Sequence, residues 1–319
     1  MTETDKSIIE VQHLKKYFNT PKGMLHAVDD VSFKIKEGCT LGVVGESGCG
    51  KSTLGRTILR LLEPTDGKIL YRGNDITTYN RSQMKQMRTK LQMIFQDPYS
   101  SIDPRMTVGG IIAEPMKVCK VMSSQAERNE RVHELMQTVG LADRLENSYP
   151  HELDGGRRQR IGIARALSLN PEFIVCDEPV SALDVSIQAQ ILNLLMNLQE
   201  ERKLTYVFIT HDMSVVKHIS NHIAVMYLGQ CVEFAETEEL FSHPLHPYTK
   251  ALLSAIPVPD LSERYKTADV IRGEVSNPIN PKPGCRFAPR CPFANANCTK
   301  NDLELNEVAP DHYIACTQL

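Results

Sequence analysis

The sequence predicts an α/β architecture built on a largely parallel sheet, and three observations carry that prediction. Four short apolar runs read as buried strands: CTLGVVG (Cys39 to Gly45), LQMIFQ (Leu91 to Gln96), FIVCDE (Phe173 to Glu178) and YVFITH (Tyr206 to His211). Runs this short and this apolar suit strands covered on both faces. Helix-forming stretches such as Ile187 to Leu198 separate them, and strands alternating with helices argue for parallel pairing. A glycine-rich loop joins the first of these runs to a helical stretch.

Taken in order, Ile9, Val11 and Leu14 read as an opening strand. Val31, Phe33 and Ile35 alternate with more polar residues, as in a half-buried antiparallel strand. The segment from about 98 to 166 is mostly helix-forming and sits between two core strands, so it reads as an inserted helical subdomain. After about Phe241 the chain becomes rich in proline and loses periodicity. The expected division is a domain over 1–240 and a C-terminal extension over 241–319, with no internal repeat.

Composition narrows the function classes. The formal net charge is -3 over 319 residues, unlike the strongly basic balance of a nucleic-acid binder. No apolar stretch approaches the roughly 18 residues needed to cross a bilayer. The opening MTETDKSIIEV is polar and lacks an apolar signal core. A cytoplasmic chain is expected, acting on any membrane through partners.

GESGCGKST, from Gly45 to Thr53, fits G-x-x-x-x-G-K-[ST] between a strand and a helix. Gly45, Glu46, Ser47, Gly48, Cys49 and Gly50 would turn backbone N–H groups around phosphate oxygens. The helix N-terminus adds partial positive charge. Lys51 would reach the β- and γ-phosphates, Ser52 would bind Mg²⁺, and Thr53 closes the motif. The plainer alternative is a glycine-rich turn. FIVCDEP then delivers Asp177 and Glu178 at the end of an apolar strand, where open α/β sheets bind ligands. Asp177 suits the Mg²⁺ shell, and Glu178 suits polarising an attacking water.

Further motifs place these in a family. HELDGGRRQRIGIARAL (His151 to Leu167) resembles the signature region of ABC ATPases, and Ser181, Ala182, Leu183 and Asp184 resemble their D-loop. Gln96 resembles their Q-loop glutamine and His211 their switch histidine. The match covers roughly residues 8 to 240, in the family's order. The resemblance implies a P-loop NTPase core with an antiparallel side sheet and a helical subdomain. It implies head-to-tail pairing, so that each ATP lies between one subunit's phosphate loop and the other's signature. Gln96 would touch Mg²⁺ or the attacking water, and His211 would hold the γ-phosphate and Glu178. An aromatic near the first strand stacks on adenine in this family; Phe18 is the first candidate and Tyr17 the second.

The signature departs from the usual L-S-G-G-Q: this chain has Leu153, Asp154, Gly155, Gly156 and Arg157. A carboxylate about 4 Å from a γ-phosphate would repel it by ~4 kcal/mol at an effective dielectric near 20. Arg157 could pair with Asp154 or reach the phosphate itself. The bland alternative is that Asp154 simply caps a helix. If the charge acts on the partner's nucleotide, the two sites differ, which favours a heterodimer.

The stretches DPYSSIDPRMTVG (Asp97 to Gly109), SALDVSIQAQ (Ser181 to Gln190), HPYTKALLSAIP (His246 to Pro257) and a closing cysteine cluster resemble the oligopeptide and dipeptide importer ATPases. Relatives there also carry nickel, antimicrobial peptides or oligosaccharides. This resemblance implies a second ATPase subunit, two transmembrane permeases and an extracytoplasmic substrate-binding protein. The cluster is Cys285, Cys291, Cys298 and Cys316, spaced x5, x6 and x17. Four thiolates suit a [4Fe–4S] cluster or a structural Zn²⁺, so the extension is expected to bind metal. The absence of close C-x2-4-C pairs and the Cys291-Pro292 step favour iron, as does the presence of such a cluster in some similar importer ATPases. A rival class is a soluble ABC protein of translation or DNA repair, but those carry two ATPase domains or long coiled-coil insertions.

Overall fold

The computed structural model describes residues 7–256, 273, 277–300 and 303–317. Its strands are β1 (Ser7–Thr20), β2 (Gly23–Lys36), β3 (Thr40–Val44), β4 (Asp66–Tyr71), β5 (Asn74–Asp75), β6 (Leu91–Ile94), β7 (Phe173–Asp177), β8 (Thr205–Ile209), β9 (His222–Tyr227), β10 (Gln230–Glu236), β11 (Asn306–Ala309) and β12 (His312–Ile314). Its helices are α1 (Lys51–Ile58), α2 (Arg81–Met87), α3 (Pro98–Ser101), α4 (Val108–Cys119), α5 (Gln125–Thr138), α6 (Gly155–Leu167), α7 (Val185–Arg202), α8 (Met213–Ile219), α9 (Thr237–Ser242) and α10 (Pro247–Ser254). The chain packs as two compact units, one of Ile9–Lys34, Thr40–Leu70 and Phe208–Leu319, the other of Met1–Ile8, Ile35–Cys39 and Tyr71–Val207.

In the first unit β2, β1 and β4 are neighbours in that order. Val31 and Phe33 fall on the buried side of β2, as alternation predicts, and Val28 is buried as well, beyond the left-handed Asp30 at φ 57. Every residue of β3 is buried, and β3 runs parallel to β9 with Leu41 opposite His222. The tight turn at Leu228 and Gly229 reverses β9 into antiparallel β10. Beyond the proline-rich stretch, β12 pairs antiparallel with β10 and β11 with β12. Glu233 on β10 is fully buried, yet satisfied. It accepts from the amides of Leu245 at 2.8 Å and His246 at 3.0 Å, and stands 2.8 Å from His312 Nε2. A buried carboxylate demands partners of this kind, and here they tie three separated parts of the C-terminal region together.

In the second unit β6 and β7 run parallel, with Leu91 opposite Phe173 and Ile94 opposite Cys176. Between them in sequence come α3, α4, α5 and α6. Ile112 and Met116 of α4, Val132 and Met136 of α5, and Ile163 and Leu167 of α6 are almost wholly buried, an i, i+4 pattern in which each helix hides one stripe. Thr107 caps α4 and Ser124 caps α5 with a capping box closed by Glu127. Among the described residues, no helix is long and apolar enough to cross a membrane.

Candidate functional site

The phosphate-loop sequence forms the shape its glycines require. β3 ends at Val44 and α1 begins at Lys51, with Gly45 at φ 147, Gly48 at 78 and Gly50 at 105. Space also demands glycine at two of these positions. A Cβ on Gly45 would lie 2.2 Å from the carbonyl oxygen of Met226, and one on Gly50 would lie 2.0 Å from that of Ala27. Positive φ and backbone crowding together exclude other residues. Lys51 is only 4% exposed. Its Nζ donates to the carbonyls of Gly45 at 2.7 Å and Glu46 at 3.0 Å, so the ammonium stands inside the loop. Ser47 and Gly48 are exposed, Cys49 is buried, and Ser52 and Thr53 are half-buried in the first turn of α1.

The two aromatic candidates have different surroundings. Tyr17 stacks on His26 with ring centroids 3.9 Å apart, and its hydroxyl donates to Asp29. Phe18, facing the other way along β1, is half-buried with the Lys16 ammonium 4.8 Å from its ring centre. His211 follows β8 in this same unit and is exposed. Next to it Asp212 caps α8, accepting from Ser214 N at 2.8 Å.

The second unit assembles the acidic group. The β6–β7 register brings the ends of both strands level, and Gln96 Nε2 donates to Glu178 Oε2 at 2.8 Å. Asp177 is fully buried, while Glu178 is half-buried in a left-handed backbone at φ 44. Such a conformation in a non-glycine residue is uncommon and marks a constrained turn. The turn is closed by Ser181, whose N and Oγ donate to the Glu178 carbonyl at 3.3 and 3.1 Å. Leu183 N donates to Val180 O at 3.2 Å, and Ala182 is exposed. Asp184 caps α7 through Ile187 N at 3.0 Å. Its bonds from the Ser186 hydroxyl and the Ile187 amide hold its carboxyl below the usual range.

The signature residues sit at the start of α6. Asp154 caps that helix, accepting from Arg157 N at 2.8 Å. Its other oxygen is 3.3 Å from the Arg157 guanidinium, both side chains being half exposed or more. The capping and pairing alternatives therefore hold at once. An exposed pair of this kind contributes at most about 1 kcal/mol, so the carboxylate's charge is only partly offset. Leu153 is buried, and Gly155 and Gly156 lie close to Leu183 and Ile187. A Cβ on Gly156 would stand 2.7 Å from Ile187 Cγ2.

Cys285, Cys291, Cys298 and Cys316, expected to hold a metal, all lie among the described residues. Among the described residues, no three His, Cys, Asp or Glu side chains form a group that could hold a metal ion. The Cys298 sulfur is buried, 3.1 Å from Thr317 Oγ1, and accepts from Asn295 N at 3.5 Å. Cys285, Cys291 and Cys316 do feel one another. Burial first, and then the neighbouring Cys316 and Cys291 thiols, push Cys285 up to about 11.

Strand–loop–helix with a buried lysine, together with an acidic strand end bridged to a glutamine, defines an ATPase of the ATP-binding cassette type. The family described as ABC transporter matches residues 28–181, and the oligopeptide/dipeptide transporter C-terminal region matches 232–298. The chain is 52% identical to a putative oligopeptide transport ATP-binding protein of Bacillus subtilis, over 97% of this chain and 94% of that one. It is 48% identical to the Escherichia coli oligopeptide transport ATP-binding protein OppF, over 100% and 98% respectively. A solved dimeric ATP-binding cassette, MJ0796 with ADP and Pi, superposes with a TM-score of 0.66 at 29% identity, covering 72% of this chain and 98% of that one. The chain belongs to the ABC transporter ATPases, in the family of oligopeptide transport ATP-binding proteins.

Proposed function

We propose that this chain binds ATP and Mg²⁺ and hydrolyses the nucleotide as one of two ATPase subunits of an oligopeptide importer, docked on the cytoplasmic face of two permeases and supplied by an extracytoplasmic binding protein. The observation that carries the reading is the loop whose lysine stands buried among its own carbonyls, in a chain similar along nearly its whole length to oligopeptide transport ATPases. Lys51 would bind the β- and γ-phosphates, and Ser52, Asp177 and Gln96 would complete the Mg²⁺ shell. Glu178 would polarise the attacking water. Mg²⁺ would supply charge neutralisation at the phosphates. Leu153 to Arg157 would face the partner's nucleotide, which favours a pair of different subunits. We divide the chain accordingly into an ATPase domain over 1–240 and an extension over 241–319.

Reconstitution tests this directly. Proteoliposomes holding this chain, its partner ATPase and the permeases should take up labelled oligopeptide only with ATP inside the compartment the ATPases face and binding protein on the opposite side. Uptake of nickel or an oligosaccharide in place of peptide would overturn the cargo.

The finer reading of the extension is a [4Fe–4S] cluster, with Zn²⁺ as the alternative. It rests on the number and spacing of the thiols, and no step of hydrolysis passes through it. Anaerobically purified protein should be brown and contain iron and sulfide. Colourless protein holding one zinc per chain would replace iron with zinc.

A further inference from the structure

The turn from Cys285 to Cys291 carries two arginines, and both reach towards the phosphate loop within one compact unit. Arg290 sets its guanidinium fork on Glu46: Nη1 donates to Oε2 at 2.7 Å and Nη2 to Oε1 at 3.1 Å. Its side chain is 6% exposed and that of Glu46 is 27% exposed. Nη1 also donates to the Tyr227 hydroxyl at 3.3 Å. Arg286, equally buried, donates to Asp29 and to the carbonyl of Leu228. Asp29 N donates to Gly229 O, and Gly229 N donates to Cys49 O in the loop, both at 2.8 Å. Phe287 anchors the turn, wholly buried with its ring centre 5.2 Å from that of Tyr227 and 5.3 Å from that of Tyr248. The Tyr248 hydroxyl in turn accepts the Glu46 amide at 2.8 Å.

Glu46 fills a variable position of the loop pattern, so its carboxylate sits within the loop that would cradle an anionic ligand. Left unpaired, that charge would oppose a triphosphate. A two-pronged, largely desolvated arginine–carboxylate contact is among the stronger polar interactions in proteins. It both neutralises Glu46 and fixes the backbone on either side of it.

We propose that Arg290, with Arg286 behind it, is a positioning residue for ATP: the cysteine-flanked turn of the extension braces the phosphate loop and cancels the Glu46 charge, so nucleotide affinity depends on the C-terminal extension. The proposal rests on the reading that residues 45–53 bind ATP. The test is titration of the full-length chain with trinitrophenyl-ATP, alongside its melting temperature. Arg290→Met should weaken binding about tenfold, as loss of a charge-assisted pair predicts. Arg290→Lys keeps the charge without the fork and should fall between the two. Adding Glu46→Gln to Arg290→Met should recover part of the loss, because the stranded carboxylate is removed. Wild-type affinity in folded Arg290→Met overturns the proposal, as does a double variant whose losses simply add. If Arg290→Met does not fold, wild-type affinity in Arg290→Lys overturns it instead. Failure of the wild-type chain to bind the probe, or undiminished binding by Lys51→Ala, would defeat the ATP reading itself and is thereby told apart.

Discussion

Lys51→Ala is expected to lower ATP affinity about 100-fold and to abolish turnover. The side chain is buried and its ammonium is held between two loop carbonyls, so it is already in place when phosphate arrives. Each hydrogen bond from a charged donor is worth about 1.5–3 kcal/mol, and two phosphate contacts therefore account for roughly two orders of magnitude. The loop's shape should survive, because Gly45, Gly48 and Gly50 set it. Calorimetric titration of the full chain with ATP and Mg²⁺ measures the loss. Affinity within about threefold of wild type would remove the loop from the mechanism.

Glu178→Gln is expected to cut ATP hydrolysis by the assembled transporter about 100-fold or more while leaving nucleotide bound, since a positioned base contributes about 10²- to 10⁴-fold. Glutamine keeps the shape and still offers an acceptor to Gln96, now 2.8 Å from the carboxylate. The loss therefore reports chemistry more than folding. The comparison with the partner subunit is as informative. The exposed Arg157 pair only partly offsets the Asp154 carboxylate, which would slow the partner's site. The equivalent glutamine substitution in the partner should then cost less. Phosphate release measured for each variant decides: equal losses would remove the asymmetry, and unchanged turnover would remove Glu178 as the base.

Much of the candidate site was legible because its chemistry is local. A phosphate loop needs glycine at fixed offsets and a lysine at the helix start, and those demands are met within nine consecutive residues. The acidic pair and its strand were legible for the same reason. The signature's Asp154 left two alternatives open in sequence, and the structure shows capping and pairing together. The helices α9 and α10 and the strands β11 and β12 lay in a stretch without periodicity, being only three to eight residues long. Elements that short do not repeat a pattern often enough to show one. The cysteine spacing pointed to a metal, but spacing does not say where each sulfur turns; the Cys298 sulfur lies beside Asn295 and Thr317.

The sequence by itself determined that the chain is a P-loop ATPase of the transporter type, because strand, loop, helix and acidic strand end are each specified by near neighbours. Only the tertiary structure decided what surrounds the loop. Arg290 and Glu46 are 244 positions apart, and Tyr248 and Glu46 are 202 apart. No local preference links residues so distant. Their meeting follows from the β9–β10 turn and the buried packing of Phe287, which hold together segments far apart in sequence at the cost of loop-closure entropy.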